Sequence, residues 1–479
     1  MAPRDATSLI AVHRELRKRG TTTRPVLERF FGSSRQSMSL RINRLERIGS
    51  IEKVPQLRRG NTDVWRARPN LAFALAVSVK RDRIAARLLD LEYLTVGSLA
   101  EEEVNLVDLV DADEIVEKIA TVAARALDSA RAEERSREDP LSSQETLDVA
   151  DRTLGVTVSL PTPVYRVRTR GNGETAWTMR TASRWIMPNL AKADFDLHTA
   201  LRRQLSEKGL PAEPLALIND ASAAALGTVV DLRMQGMPRP PRDLALLWLA
   251  EGVGGGVISG HRLVTGNAGF AAEIGHLAVR ADGVLCRHCG ARGCLETVAS
   301  TGAINREVNA AFVEGATFGW SGEHPLVVDV GEDVLRHPAY TEAMREAGWW
   351  TGIALAQVVN LFNPQIVVLT DPHGPSVSVA EIGAPAPVRD KQFQRSVEGA
   401  LRRNSLDPSY HHLMGAFGNQ EVYGLQFGVH SRSDHGIDVS EERAPMLEMV
   451  GAAADLVDTF ADEALAARLK AAHQLTPMD

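Results

Sequence analysis

The 479-residue sequence predicts an α/β multi-domain protein headed by a winged helix-turn-helix, and three observations carry that reading. After residue 71, triplets of strand-like segments alternate with helical stretches twice over, the pattern of two α/β lobes. Before residue 71, three amphipathic helices and a basic hairpin follow one another. All three cysteines of the chain, Cys286, Cys289 and Cys294, fall within nine residues, next to His276 and two glutamates. The domain division read from these patterns is 1–70 for the head, 71–209 for the first lobe and 210–479 for the second lobe with its cysteine loop.

The head opens with TSLIAVHRELRKR, which places Leu9, Val12, His13 and Leu16 on one helical face, and Gly20 ends the helix. A second helix carries Pro25 in its first turn, with Val26, Leu27, Phe30 and Phe31 expected in the core. Gly32-Ser33-Ser34 makes the turn, with a serine as N-cap of the third helix. In that helix Met38, Ile42 and Leu45 face inward. The other face shows Gln36, Ser37, Ser39, Leu40, Asn43 and Arg44, flanked by Arg35 and Arg41. Two short strands around a Gly60-Asn61 turn put Arg58 and Arg59 at the tip, and Arg66, Arg68 and Pro69 lead into the body.

Charge gives the head its expected partner. Residues 1–70 hold 16 Lys/Arg against 6 Asp/Glu, whereas the rest holds 38 against 55. A basic head on an acidic body is suited to a polyanion. Double-stranded DNA is the expected partner, with the polar face of the third helix in the major groove and Arg58 and Arg59 reaching phosphates or the minor groove. A solvated protein-interaction module is the other reading.

In the body, LAFALAVSV, RIAARLLDL and EYLTVGSLA read as a meander. A helix follows at about 113–131, then a charged loop and the buried strand TLGVTVSL. Residues 196–208 are helical, and LALIND is a strand ending in Asn219-Asp220. Asp220 is a candidate general base, or the N-cap of the small-residue helix ASAAALGTVV. LALLWLAEGVGGGVISG is a hairpin whose glycines, Gly252 to Gly256, are suited to cradling phosphate or to forming a plain turn. Residues 338–362 form a long apolar helix, followed by the strand NPQIVVL. The first twenty residues are too charged for a secretory signal, and no apolar run spans a membrane, so a cytoplasmic protein is expected.

The stretch EIGHLAVRADGVLCRHCGARGCLE, residues 273–296, carries the chemistry. His276, Cys286, Cys289 and Cys294 form a Cys₃His set suited to structural zinc, with Gly290 and Gly293 bending the loop shut. His288 is a rival fourth ligand. Three cysteines cannot pair fully, which makes a disulfide framework unexpected. Glu273 and Glu296 bracket the loop, placed for hydrogen bonds to vicinal hydroxyls such as those of a sugar.

These motifs resemble the ROK family (repressors, open reading frames, kinases) in its transcriptional-regulator branch, over nearly the whole chain to about residue 370. The resemblance implies an actin/hexokinase-like, ribonuclease H-like pair of lobes. It also implies sugar contacts from Asn219, Asp220, Glu273, His276 and Glu296, zinc on His276, Cys286, Cys289 and Cys294, and a further sugar contact from Asn189. In kinase members the aspartate at the position of Asp220 is the catalytic base. The chain departs from the family in four places. Its first two cysteines are spaced C-x-x-C where the family has C-x-C. Ser78 to Asp82, with Lys80 and Arg81, stand at the phosphate motif D-x-G-x-T. Glu251 stands for a threonine, and Thr370-Asp371-Pro372 replace nucleotide-binding glycines. Bulky side chains there oppose the close backbone approach that a triphosphate needs. On this ground no enzymatic activity is expected. The expected function is a sugar-responsive transcriptional regulator of carbohydrate metabolism, a repressor acting as a homodimer or homotetramer. The alternatives are an ATP-dependent sugar kinase and a regulator answering to a protein partner. Residues 373–440 fit the resemblance poorly.

Overall fold

The computed structural model describes residues 3–58, 62–109, 111–136, 148–171, 174–181, 195–234, 241–312, 337–371, 387–407, 409, 413, 424–427 and 447–474. Arg59, Asn189 and the Gly60-Asn61 turn lie outside them, as does most of 373–440. The chain divides into two compact units. One comprises Met1–Leu160, Ile186–Leu217 and Ala452–Asp479, and the other Pro161–Trp185 and Ile218–Gly451.

The head begins with α1 (Pro3–Arg19), β1 (Thr21–Thr23), α2 (Arg24–Phe31) and α3 (Arg35–Arg47), followed by β2 (Ile51–Lys53) and β3 (Val64–Ala67). Leu9, Val12, His13 and Leu16 of α1 are buried, as are Met38, Ile42 and Leu45 of α3. Ser34 caps α3 by accepting from the Ser37 amide at 3.3 Å. The three strands form a sheet of order β1-β3-β2. The β-branched run Thr21–Thr23 pairs antiparallel with β3 and adds an edge that the helix-oriented reading left out. The expected core of α2 is corrected too. Only Leu27 is fully buried, while Val26 and Phe30 are exposed. An eight-residue helix presents one narrow apolar stripe, and the Phe30 ring lies at the surface with the Arg19 guanidinium 5.1 Å from its centroid.

Next come β4 (Phe73–Val79), β5 (Arg83–Asp90) and β6 (Thr95–Glu103), then α4 (Ala112–Ser136) and β7 (Thr153–Leu160). After the ribbon β8 (Val164–Gly171) and β9 (Glu174–Thr181) follow α5 (Leu197–Glu207) and β10 (Leu215–Asn219). The first body sheet has the order β10-β7-β4-β5-β6, with β4, β5 and β6 an antiparallel meander and β7 parallel to β4.

The second half repeats the scheme. It comprises α6 (Asp220–Met234), β11 (Leu244–Leu249), β12 (Val253–Ser259), β13 (Arg262–Leu263), α7 (Glu296–Ala299), α8 (Thr301–Phe312), α9 (Pro338–Phe362) and β14 (Ile366–Thr370). Three elements complete it: α10 (Lys391–Asn404), β15 (Gly424–Phe427) and α11 (Leu447–Gln474). The sheet order is β13-β12-β11-β14-β15, again a three-stranded meander with a parallel strand, β14, added beside its first member. A duplicated meander with parallel additions is the actin/hexokinase-like α/β architecture that the sequence predicts. Strands β11 and β14 are buried along their whole length, as expected for a sheet covered on both faces.

Gly254, Gly255 and Gly256 lie within β12, opposite Trp248, Leu247 and Leu246. A methyl group on Gly254 or Gly256 would come within 2.6 Å of the Cβ of Ala221 or Ala225. On Gly255 it would meet Ile274 at 2.6 Å. These glycines let α6 and the 274–276 turn pack against the strand, which is the small-residue packing expected of ASAAALG.

The first unit contains a buried titratable group. His13 is 0 % exposed, and its pKa is lowered to about 3, chiefly by burial and then by the charge of Arg17, against the opposing charge of Asp462. Asp462 of α11 pairs with Arg17 at 3.2 Å and with Arg14, joining α1 to the last helix. Because the folded pKa lies below the unfolded value of 6.5, this contribution to stability is present above about pH 6.5 and is lost as pH falls towards 3. Wild type should therefore lose about 2 kcal/mol between pH 7 and pH 5 through this group. His13→Leu should remove that part of the slope in denaturation measured at the two pH values.

Candidate functional site

The cysteine loop is built by backbone geometry. Gly290 and Gly293 have φ of 75° and 68°, in the left-handed region, and a methyl group on Gly293 would clash with the Arg280 carbonyl oxygen. The Cys286 amide donates to the Ala291 carbonyl at 2.7 Å, and the Gly290 amide donates to the Cys286 carbonyl at 2.9 Å, closing the turn. Isolated bridges Ala278–Cys294 and Leu285–Arg292 fasten its two sides. His276 enters from a 3-10 turn, Ile274–His276, that follows Glu273.

The loop brings His276, Cys286, Cys289 and Cys294 together, one donor atom from each within 4.8 Å of the others. The Cys289 and Cys294 sulfurs are 3.4 Å apart, and Cys286 Sγ is 3.7 Å from His276 Nδ1. The cysteines are free thiols. Donors bound to zinc at about 2.3 Å in a tetrahedron are separated by about 3.7 Å, so spacing and donor chemistry both fit that ion. Burial pushes both Cys286 and Cys294 up as thiols, with the charge of Glu296 adding to Cys286 and the neighbouring sulfurs to both, a penalty that a bound cation reverses. His288, the rival fourth ligand, turns away from the thiols: its Nδ1 lies 2.7 Å from Glu296 Oε1. A second potential ligand set, His276, His288 and Glu296, shares one histidine with the first.

Beside the loop stand the acids. Glu296, 7 % exposed, starts α7. Its Oε2 accepts from the Val253 amide at 3.3 Å, and a methyl group on Gly252 would lie 2.9 Å from that oxygen. Burial raises its pKa, but the bond from His288 and the charges of His288 and His276 outweigh that effect and keep it below the ordinary value. Glu273 goes the other way. Burial, then the charges of Asp220 and Glu296, raise its pKa from 4.5 to about 7. Burial also lowers the His276 pKa, against the charge of Glu296.

Asp220 is the first residue of α6, and its Oδ1 accepts from the Ala221 amide at 2.8 Å and from Asn219 Nδ2 at 3.2 Å. The helix cap is Asn219, whose Oδ1 accepts from the Ser222 amide at 3.1 Å. Of the two roles weighed for Asp220, capping therefore falls to its neighbour. Asn219 Nδ2 also donates to the Thr162 carbonyl at 3.4 Å. Asp220, Glu273, His276 and Glu296 thus converge within the second unit. Their arrangement suits a neutral polyhydroxylated ligand, whose hydroxyls donate to carboxylates and accept from the imidazole. The sequence missed two contributors, Val253 and Gly252, because a backbone amide and an absent side chain leave no residue-type signal.

In the head, Arg35, Gln36, Leu40 and Asn43 are exposed on α3, and Leu40 is 65 % exposed. Ser37, Ser39 and Arg44 are half-buried, and Ser39 Oγ accepts from Arg24 at 3.3 Å. Arg58 is exposed, 3.7 Å from Asp63.

A fold of two duplicated α/β sheets with the EIGH turn and the cysteine loop defines the class, and the chain belongs to the ROK family, whose profile matches residues 148–420. Among relatives, an N-acetylmannosamine kinase of Vibrio cholerae is 42 % identical over 105 residues, 22 % of this chain and 34 % of the kinase. A glucokinase of Streptomyces coelicolor is 33 % identical over 169 residues, 33 % of this chain and 50 % of that enzyme. The chain thus spans half or less of the length of these kinases. A solved ROK family transcriptional regulator, described as a homologue of the E. coli MLC protein, superposes with a TM-score of 0.61 at 19 % identity, covering 97 % of this chain and 99 % of its own. That likeness extends the fold match over the head. No helix among the described residues is long and apolar enough to cross a membrane. The kinase relatives correct one expectation, that the chain is not an enzyme. It rested on Ser78–Asp82, Glu251 and Thr370–Pro372, and altered phosphate motifs do not exclude catalysis in a chain so similar to sugar kinases.

The raised pKa of Glu273 makes a stability prediction. A carboxyl with a folded pKa of about 7 and an ordinary value of 4.5 favours folding below about pH 4.5, and that contribution is lost as pH rises through 7. Glu273→Gln, which never ionises, should therefore gain stability over wild type from pH 5 to pH 8 in urea denaturation of the sugar-free protein. An unchanged difference would contradict the burial assigned to this acid.

Proposed function

We propose that this chain is a sugar-binding ROK protein in which one body serves two ends, phosphoryl transfer to a sugar and control of a DNA-binding head. The observation that carries the reading is the convergence of Asp220, Glu273, His276 and Glu296 in one unit. Glu273, Glu296, His276 and Asn219 hold the hydroxyls of a hexose or N-acylhexosamine, the substrate class named for the kinase relatives. Asp220 takes the proton from the reacting hydroxyl, whose oxygen attacks the γ-phosphorus of ATP as the bond to ADP breaks. Zinc on His276, Cys286, Cys289 and Cys294 supplies a structural staple. Four protein donors leave no open position for activating water.

The head supplies the second end. Its charge of +10 and the exposed face of α3 favour double-stranded DNA, with Gln36, Asn43 and Arg44 meeting base edges. Arg35, Ser37, Ser39, Leu40 and Arg41 complete that face, and Arg58 belongs to the wing, with Arg59 next to it in sequence. A repressor acting as a homodimer or homotetramer in the cytoplasm, released or retained by its sugar, completes the proposal. The ligand acts through its differential affinity for two states of the body. The division at residues 70 and 209 is part of the same proposal.

Two experiments test these ends separately. The zinc-loaded protein is incubated with ATP and either glucose or N-acetylmannosamine, and phosphorylated sugar is measured. Asp220→Asn should lower turnover by about 10²–10⁴-fold while sugar binding persists. Absence of phosphorylated sugar from wild type would remove the phosphoryl-transfer end. For the head, duplexes are selected from a random library. Arg44→Ala should weaken binding to the selected site by about 1–3 kcal/mol, and Arg58→Ala should reduce the salt slope by about one. Unchanged affinity and slope in both variants would refute the groove assignment.

A further inference from the structure

Between Cys286 and Cys289 stand two residues, Arg287 and His288, where the family resemblance has one. The structure gives this pair a connection that runs to Glu296 rather than to the thiols. Arg287 Nε lies 3.2 Å from His288 Nε2. His288 Nδ1 lies 2.7 Å from Glu296 Oε1. An arginine can only donate, so His288 Nε2 is the acceptor and its proton sits on Nδ1, directed at the carboxylate. The chain of bonds runs from Arg287 Nε–H to His288 Nε2, and from His288 Nδ1–H to Glu296 Oε1.

Glu296 is held from its other side as well. The Val253 amide donates to Oε2 at 3.3 Å, and the missing side chain of Gly252 leaves room for that oxygen. A glutamate has three rotatable bonds, and leaving it free before a ligand arrives costs affinity when it is finally fixed. Here each oxygen already has a donor and the residue is buried. The remaining lone pairs are therefore presented in one orientation.

We propose that His288 is a positioning residue for sugar binding, orienting Glu296 in a tautomer fixed by Arg287 and coupling the cysteine loop to the ligand carboxylate. The inference rests on the sugar-binding reading above. The two residues that carry it lie between two metal-ligand candidates, so closing the loop on an ion fixes the histidine without making it a ligand. This is what the extra residue in C-x-x-C adds. A C-x-C loop lacks one of the two links of the chain.

The test uses the full-length, zinc-loaded protein with glucose and N-acetylmannosamine as probes, read by calorimetry beside metal analysis and ¹⁵N NMR of the histidines. His288→Ala should weaken binding of the preferred sugar about tenfold or more with zinc content unchanged, the size expected for a residue that orients a ligand-binding group. His288→Asn, whose amide nitrogen can occupy the place of Nδ1, should recover affinity to within about threefold of wild type. In a Glu296→Ala background, His288→Ala should change affinity by less than about twofold, since the partner it orients is gone. In the sugar-free protein the NMR spectrum should show His288 as the Nδ1–H tautomer. Wild-type affinity in His288→Ala, loss of zinc from it, failure of the asparagine rescue, or an Nε2–H tautomer would each overturn the role of His288 while leaving the sugar site standing. Lack of binding of either sugar to wild type would overturn the sugar reading, and the role given to His288 with it.

Discussion

A carboxylate removed from water needs partners, and the second unit keeps three of them, Asp220, Glu273 and Glu296, within reach of one another's charge. Much of the local architecture follows from that requirement. Asn219 caps α6 and so frees Asp220 from capping. Val253 and His288 divide the two oxygens of Glu296. Glu273 meets the cost differently, with a pKa near 7 that leaves it largely protonated in mild acid. The cysteine loop holds the turn that carries His276 and the start of α7 that carries Glu296, fastened by the Ala278–Cys294 bridge. A metal ion held by His276, Cys286, Cys289 and Cys294 would fix these side chains without itself taking part in the chemistry.

Packing serves the same end. The three glycines of β12 bring α6 and the 274–276 turn against the strand at distances no side chain would permit. Asp220 at the head of α6 and Glu273 ahead of the turn are both positioned by that contact. The glycine run of β12 is, in three dimensions, the surface on which the acids are mounted.

Residue type and spacing made much of this visible in advance. The C-x-x-C-x₄-C loop with its upstream histidine, the buried stripe Leu9-Val12-His13-Leu16 and the long helix 338–362 all express side-chain chemistry or 3.6-residue periodicity. Other features are carried by groups with no sequence signature. The Val253 amide, the space at Gly252 and the choice of His276 over His288 at the thiol cluster depend on backbone placement alone. The exposed Phe30 shows a related limit: apolar periodicity marks a side chain as apolar, but it does not say whether the ring is buried or lies at the surface beside a guanidinium. The altered phosphate motifs were legible too, but they bear on nucleotide contacts, whereas the kinase relatives bear on the chain's kinship. The kinship corrected the inference drawn from the motifs.

The account stands on the claim that the converging carboxylates bind a sugar. A crystal structure of the zinc-loaded chain soaked with glucose or N-acetylmannosamine tests that claim most directly. The account predicts a pyranose whose hydroxyls lie within hydrogen-bonding distance of Glu273 and Glu296, with the reacting hydroxyl on Asp220. A sugar bound elsewhere, or one that leaves these three acids in contact with water alone, would contradict it.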